Sequence, residues 1–389
     1  MSLRNGVCVN RSEIDFNTDL DEIPICEETR QLLCIGNNSE RTMKVQMSVS
    51  SNEQKFLIRT NPPVVTLKRG FACEFEIFVK PNYTTKFCSK AKIVSKSLQS
   101  GVETINEITI KGVTQISTRL DPDELIEEKK IGEGGFGVVY KGTYRGNVVA
   151  IKKMRDYKDS TELLLEFENE IYMLDKFRSE YIVHFYGAVF IPNKICMVTE
   201  FAQYGSLKDL MNHKKTNEID EKIKLKMILD AAKGILYLHE NGILHRDIKP
   251  DNILVISLDL NDKVNAKLTD FGSSRNVNLL MTNMTFTKGI GTPVFMAPEV
   301  LNQEKYKQAA DVYSFAISMY ECFVWGNAYP KEKFNFPWKI AEFVNEGNRL
   351  QNPGTIKSEI YTLICMCWQQ EPKNRIPIKV VVEKLEKVI

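Results

Sequence analysis

The stretch HRDIKPDN at residues 245–252 holds a carboxylate (Asp247), an ammonium (Lys249) and a carboxamide (Asn252) within six residues. A carboxylate beside a substrate hydroxyl orients it and takes its proton. An ammonium can meet a phosphate, and a carboxamide oxygen is the hard, neutral donor that magnesium accepts. Eighteen residues beyond Asn252, in KLTDFGSSR, Asp270 offers a second, charged oxygen donor. Phosphoryl transfer asks little covalent work of a protein: ATP and Mg2+ must be held, a hydroxyl oriented and the charge on the moving group neutralised. These side chains are of the types that such chemistry uses.

Upstream, IGEGGFGVVYKG (131–142) spaces Gly132, Gly134 and Gly137 as GxGxxG, with Ile131 ahead and Glu133, Gly135 and Phe136 between. Dinucleotide-binding folds share the spacing. The residues after the last glycine separate the two cases. A dinucleotide fold needs a helix there, whereas VVYKGTY is β-branched and aromatic and NVVAIKKM is strand-like again. The glycines therefore join two antiparallel strands, and without a Cβ in the way their amides can approach phosphate oxygens. No GKS or GKT follows, which excludes a Walker loop. Fifteen residues past Gly137 stands Lys152, preceded by Ala150, which is small enough to leave room for a flat base. A lysine among apolar residues needs a counter-ion to hold its ammonium against phosphate. Glu170 lies one turn past Phe167 and one turn before Leu174, next to the apolar stripe of Leu164, Phe167, Ile171 and Leu174 on a helix over 161–177. It is preferred to Glu166 and Glu168 as that counter-ion, with Glu166 the alternative.

The glycine loop, VAIK, HRDIKPDN, DFG and APE (297–299) occur in this order, and together they resemble the protein kinase family over about residues 120–389. The resemblance implies an α+β bilobal kinase fold, with an antiparallel N-lobe sheet and a helical C-lobe, together with ATP, Mg2+ and protein substrates. It implies Asp247 and Lys249 at the reacting groups, Lys152 paired with Glu170, and Asn252 and Asp270 on the metal. In TEFAQYGSL it implies Thr199 as gatekeeper and Glu200 to Ala202 as the hinge whose backbone binds adenine, with the base between Val139, Ala150 and Leu254. Leu174, Phe185, His245 and Phe271 match the family's stacked apolar column. Glu299 and Arg375 resemble the buried ion pair under the substrate platform, and Asp311 resembles the residue that ties down the catalytic loop.

Lys249 and GTPVFMAPE resemble serine/threonine kinases, in which Thr292 would bridge Asp247 and Lys249. DVYSF, CWQQEPKNR and LTDFGSSR resemble the tyrosine-kinase-like group, whose members mostly act on Ser and Thr. Ser/Thr specificity is therefore expected, with dual specificity open. Between Asp270 and Glu299 lie Thr282, Thr285 and Thr287, and a phosphate on one of them could pair with Arg246. Ser273 and Ser274, directly after DFG, read as structural. Ala316 and Ile376 depart from the family pattern without touching ATP or metal, and ISLDLNDKVNAK reads as a lengthened hairpin turn. A scaffold without turnover commonly lacks the lysine, the base or a metal ligand; here all are present. A small-molecule kinase is disfavoured by the APE platform and Arg375, which serve peptide docking.

These groups must be positioned by a chain of 389 residues, 43% hydrophobic, with room for two or three domains. Its net charge of +2 supplies no global field for nucleic acid or an anionic membrane. No run approaches the length of a membrane span and no signal peptide is read. Nine cysteines, an odd number, fit reduced thiols, so a cytoplasmic setting is expected. Cys365 and Cys367 read as helix packing.

TMKVQMSV, CEFEIFV and INEITIKGV alternate apolar and polar residues and are separated by NNSE, TNPP, KRG and KPN. That pattern predicts an all-β sandwich of about seven strands over residues 13–115. Residues 116–124 form the linker and 125–389 the kinase domain. The Asn-Asn-Ser turn, the Pro-Pro and the Gly-Phe strand resemble the immunoglobulin-like major sperm protein family. Segment 13–28 holds seven acids and no base, and 41–96 eleven bases against three Glu. A basic face for a protein or lipid ligand is weighed there against ordinary solvated strands.

Overall fold

A period of two buries one face of a strand, and the front third of the chain keeps that period almost throughout. The computed structural model describes residues 6–19, 21–49, 55–134, 137–154, 161–191, 193–271, 275–276, 293–302, 304–305 and 307–389. The chain forms two compact units, residues 1–127 with 143–147 and 187–197, and residues 128–142, 148–186 and 198–389.

In the first unit the strands are β1 (Val7–Val9), β2 (Glu13–Asp15), β3 (Thr29–Asn37), β4 (Met43–Val49), β5 (Phe56–Asn61), β6 (Val64–Leu67), β7 (Ala72–Pro81), β8 (Lys86–Ser97) and β9 (Glu103–Val113). They make a four-stranded sheet ordered β1-β3-β7-β5 and a five-stranded sheet ordered β2-β9-β8-β4-β6. On β4, Met43, Val45 and Met47 are buried while Lys44, Gln46 and Ser48 face solvent. Ile35, Phe75 and Ile77 of one sheet and Val45, Ile93 and Ile110 of the other belong to a single hydrophobic cluster. Among the described residues eight strands, β2 to β9, lie within 13–115 where alternation suggested about seven, and β1 precedes them; β1 and β2 have three residues each and cannot display a period.

Residues 117–121 are held by backbone and side chain. Leu120 N–H donates to the Ala188 carbonyl at 2.9 Å, and Ala188 N–H donates to that of Thr118 at 2.7 Å. The Asp121 carboxylate accepts from Lys55 Nζ and from Thr85 Oγ1, each at 3.1 Å.

The next strands are β10 (Leu125–Gly134), β11 (Gly137–Tyr144) and β12 (Asn147–Met154), followed by helix α1 (Thr161–Lys176), then β13 (Phe185–Val189) and β14 (Cys196–Glu200). The strands share one sheet in the order β10-β11-β12-β14-β13. Helices dominate afterwards: α2 (Leu207–His213), α3 (Glu221–Glu240), α4 (Pro298–Leu301), α5 (Gln308–Val324), α6 (Pro337–Asn345), α7 (Ser358–Cys367) and α8 (Ile378–Glu386). Short strands β15 (Ile243–Leu244), β16 (Ile253–Val255), β17 (Ala266–Leu268) and β18 (Arg275–Asn276) punctuate them. Ser206 starts α2 with a capping box closed by Asp209. Helix α5 is buried along almost its whole length, as an apolar helix must be at the centre of a core. No described helix is long and apolar enough to cross a membrane. All nine cysteines are free thiols.

Strands β16 and β17 pair antiparallel, so ISLDLNDKVNAK is the extended turn of their hairpin. The Asn265 amide holds that turn by donating to the carbonyls of Ser257 at 3.0 Å and Asp259 at 2.8 Å. Asp230 of α3 accepts from the backbone N–H of Asn265 at 2.7 Å and of Ala266 at 3.2 Å. Burial pushes the Asp230 carboxyl up to about 6, against the pull of those two N–H groups. The folded state therefore binds the extra proton between about pH 4 and 6, and this group's contribution to stability falls as pH rises through that window. Asp230→Asn keeps an acceptor for both N–H groups and removes the charge. Relative to the wild type, the variant is expected to gain about 1–3 kcal/mol between pH 4 and pH 7. Urea denaturation at both pH values measures this, and parallel pH profiles would reject it.

Candidate active site

At Gly137 φ is 152°, and a Cβ would lie 1.9 Å from the Lys153 carbonyl oxygen, so no other residue fits where β11 passes β12. At Gly132 a Cβ would meet Val139 Cβ at 4.0 Å as its nearest neighbour among the described residues. Ile131 stays exposed and Glu133 pairs with Lys130. Gly134 ends β10, while Gly135 and Phe136 lie outside the described residues.

Strand β12 carries Lys152, and its Nζ stands 2.9 and 3.2 Å from the two carboxylate oxygens of Glu170. Phe167, Ile171 and Leu174 bury one side of α1, and Glu170 is buried beside them. The side chains of Leu164 and Glu166 lie outside the described residues. Burial pushes the Glu170 carboxyl up, Lys152 draws it down, and the negative charge of Asp270 raises it again. Asn169, one residue earlier, donates to the Phe271 carbonyl at 3.4 Å and so ties α1 to the segment carrying Asp270.

Around Asp247 the donors converge. Its Oδ2 accepts from Lys249 Nζ at 2.7 Å and from Asn252 Nδ2 at 3.0 Å, and its carbonyl accepts from the same Asn252 nitrogen at 2.8 Å. Spending the Asn252 nitrogen on Asp247 leaves the carboxamide oxygen for a cation. Arg246 and Asp270 adopt left-handed backbone at φ 71° and 64°, a strain that side-chain residues tolerate where the surroundings enforce it. The enforcer at Arg246 is buried Asp311, whose carboxylate accepts the N–H of His245 at 3.0 Å and of Arg246 at 2.9 Å. His239 Nε2 lies 2.9 Å from the same carboxylate. Burial raises the Asp311 carboxyl, but the His239 hydrogen bond and charge, with the His245 charge and the Arg246 N–H, hold it below the ordinary value. Leu174, Phe185, His245 and Phe271 are all buried, and the His245 and Phe271 rings stand 5.2 Å apart.

Thr199 and Glu200 end β14, and Ala202 comes two residues later, nearly buried. Val139, Ala150 and Leu254 are each half-buried. Beneath α4, Arg375 grips both carboxylate oxygens of Glu299 at 2.7 Å each. Sequence reasoning missed Lys267, which holds Glu200, and His239, which holds Asp311. Both partners are remote in sequence, and neither spacing carries a local signal. Ser273, Ser274, Thr282, Thr285, Thr287 and Thr292 lie outside the described residues.

Residues 125–385 match the family model described as protein tyrosine and serine/threonine kinase. The chain belongs to the protein kinase family. It is similar to the "Probable serine/threonine-protein kinase gdt9" of Dictyostelium discoideum, 30% identical over 86% of this chain and 22% of the relative. A second D. discoideum relative, "Probable serine/threonine-protein kinase gdt4", is 28% identical over all of this chain and 23% of its own length. "Serine/threonine-protein kinase STY17" of Arabidopsis thaliana is 33% identical over 78% of this chain and 52% of itself. The chain thus spans about a quarter to a half of these relatives. Protein kinases use ATP and Mg2+. Among the described residues, no three His, Cys, Asp or Glu form a metal cage of their own. The pair Asn252 and Asp270 fits Mg2+ nonetheless, because that ion is usually held by one or two carboxylates together with substrate phosphates.

Proposed function

We propose that this chain is an ATP-dependent protein kinase of the tyrosine-kinase-like group that phosphorylates Ser and Thr of protein substrates. The observation that carries the reading is the joint placement of Lys152 on Glu170 and of Lys249 and Asn252 on Asp247. Lys152, kept in place by Glu170, binds the α- and β-phosphates. Asn252 and Asp270 hold Mg2+, which when bound offsets the charge of the phosphate oxygens. Asp247 orients the substrate hydroxyl and accepts its proton, and Lys249 meets the γ-phosphate. The hinge from Glu200 to Ala202 presents backbone to adenine under the Thr199 gatekeeper, and Ile131, Val139, Ala150 and Leu254 line the base and the mouth of its pocket. Transfer of labelled γ-phosphate from ATP to a generic basic protein, followed by hydrolysis to phosphoamino acids, tests both halves. Absence of transfer refutes the activity, and phosphotyrosine alone refutes the specificity.

The domain reading rests on the same residues: an immunoglobulin-like β-sandwich over 13–115, resembling major sperm protein, a linker over 116–124 and the kinase domain over 125–389. The free thiols support a reducing, intracellular setting. The sandwich would govern location or partners through a protein or lipid ligand. A fragment of residues 120–389 is therefore expected to retain catalysis. It lacks the Thr118 carbonyl that accepts from Ala188 N–H. Leaving that donor without its partner costs about 1–3 kcal/mol, so the fragment should denature earlier than one starting at residue 115. Peptide phosphorylation and urea midpoints of the two fragments check this, and an inactive 120–389 fragment would overturn the division of labour.

A further inference from the structure

We infer that Lys267 is a positioning residue for the nucleotide base, acting through the carboxylate of Glu200. This rests on the proposed kinase activity and adds a residue to it. Glu200 is doubly tethered. Its backbone N–H donates to the His184 carbonyl at 2.9 Å, and its Oε1 accepts from the His184 N–H at 2.6 Å. Lys267 Nζ then meets both carboxylate oxygens, at 2.7 and 2.9 Å. Both side chains are more than four-fifths buried, at 16% and 19% exposed, so solvent screens the pair only in part.

The position of Lys267 gives the pair its reach. In the β16–β17 hairpin Lys267 lies directly across from Leu254, the residue read as the floor under adenine. Two residues further on, the Thr269 N–H donates to the carbonyl of Asn252 at 3.1 Å, and Asp270 comes next. One ammonium therefore joins the end of β14, where the hinge begins, to the strand that supports the base and leads into the metal-binding pair. A hinge backbone can read adenine only if its N–H and C=O groups stand at a fixed height above that floor, since misplacement by about 1 Å costs heavily in binding geometry. The Lys267–Glu200 pair sets that height. A side chain that served only surface solubility would not spend its charge on a carboxylate already held by a backbone N–H.

The test uses the full-length chain and compares wild type with Lys267→Met, Lys267→Arg, Glu200→Gln and the Lys267→Met/Glu200→Gln double variant. KM for ATP and KM for a peptide substrate are measured separately, with thermal melting as the check on folding. Lys267→Met is expected to raise KM for ATP about tenfold, with peptide KM within twofold of wild type. Lys267→Arg is expected to restore most of the loss. The double variant is expected to be no worse than Lys267→Met alone, since the two residues act as one unit. An ATP KM unchanged in Lys267→Met, or equal losses for ATP and peptide, overturns the inference. If Lys267→Met melts before assay, Glu200→Gln, which keeps the shape and the His184 contact, decides by the same split. A wild type that takes up no ATP in calorimetry refutes the kinase reading itself, a result separate from any of these.

Discussion

Asp247→Asn is expected to lower turnover by about 10²- to 10⁴-fold while ATP still binds. The substitution removes the carboxylate proposed as proton acceptor but little of the shape. Asp247 Oδ2 receives Lys249 Nζ and Asn252 Nδ2, and an asparagine can present its amide oxygen to both donors by choosing the matching flip. The Asn252 bond to the Asp247 carbonyl is untouched by the change. Lys152, Glu170 and Asp270 keep their places, so calorimetric affinity for ATP with Mg2+ should stay within a few-fold of wild type. The contrast with Lys152→Met is informative. That change removes the proposed phosphate ligand and also leaves Glu170 buried without its cation, so it should weaken nucleotide binding and stability together. Turnover of Asp247→Asn within tenfold of wild type would show that the hydroxyl proton leaves by another route.

The convergence of Asp247, Lys249 and Asn252 was legible because it is local: they meet one another within six residues, and a short loop leaves little freedom in how they do so. Glu170 was legible for a different reason, since the helical period of α1 sets it on the side that Phe167 and Leu174 bury. Lys267 was not. Its strand is three residues long, its partner lies 67 positions away, and nothing in a lysine near the end of a strand says which carboxylate it meets. The front unit shows the same limit, because alternation on β4 and β7 declares which face is inward but not that β2 runs parallel to β9. Strand pairing depends on contacts distant in sequence, which no window of residues contains.

Arg375→Ala is expected to cost about 3–5 kcal/mol of stability, the largest structural loss of any single substitution considered. The guanidinium is fully buried, and all five of its N–H donors are used. Nε donates to the Gln369 carbonyl at 2.8 Å. Of the two terminal nitrogens, one serves Glu299 Oε1 and the Ala309 carbonyl, and the other Glu299 Oε2 and the Gln370 carbonyl. Truncation strands the Glu299 carboxylate, which is only 7% exposed at the side chain, and also takes one donor from each of three carbonyls, of which Ala309 keeps its bond within α5. The two losses can be separated. Adding Glu299→Gln to Arg375→Ala removes the buried charge but restores no donor to the carbonyls of Gln369, Ala309 and Gln370. The double variant should therefore recover part of the loss and no more. Urea denaturation measures it as a midpoint shift at unchanged slope. Full recovery in the double variant would mean that the carbonyls find other partners and that the charge alone made Arg375 necessary. No recovery would place the whole effect in the three backbone contacts, and Glu299 would then be a passenger at the base of α4.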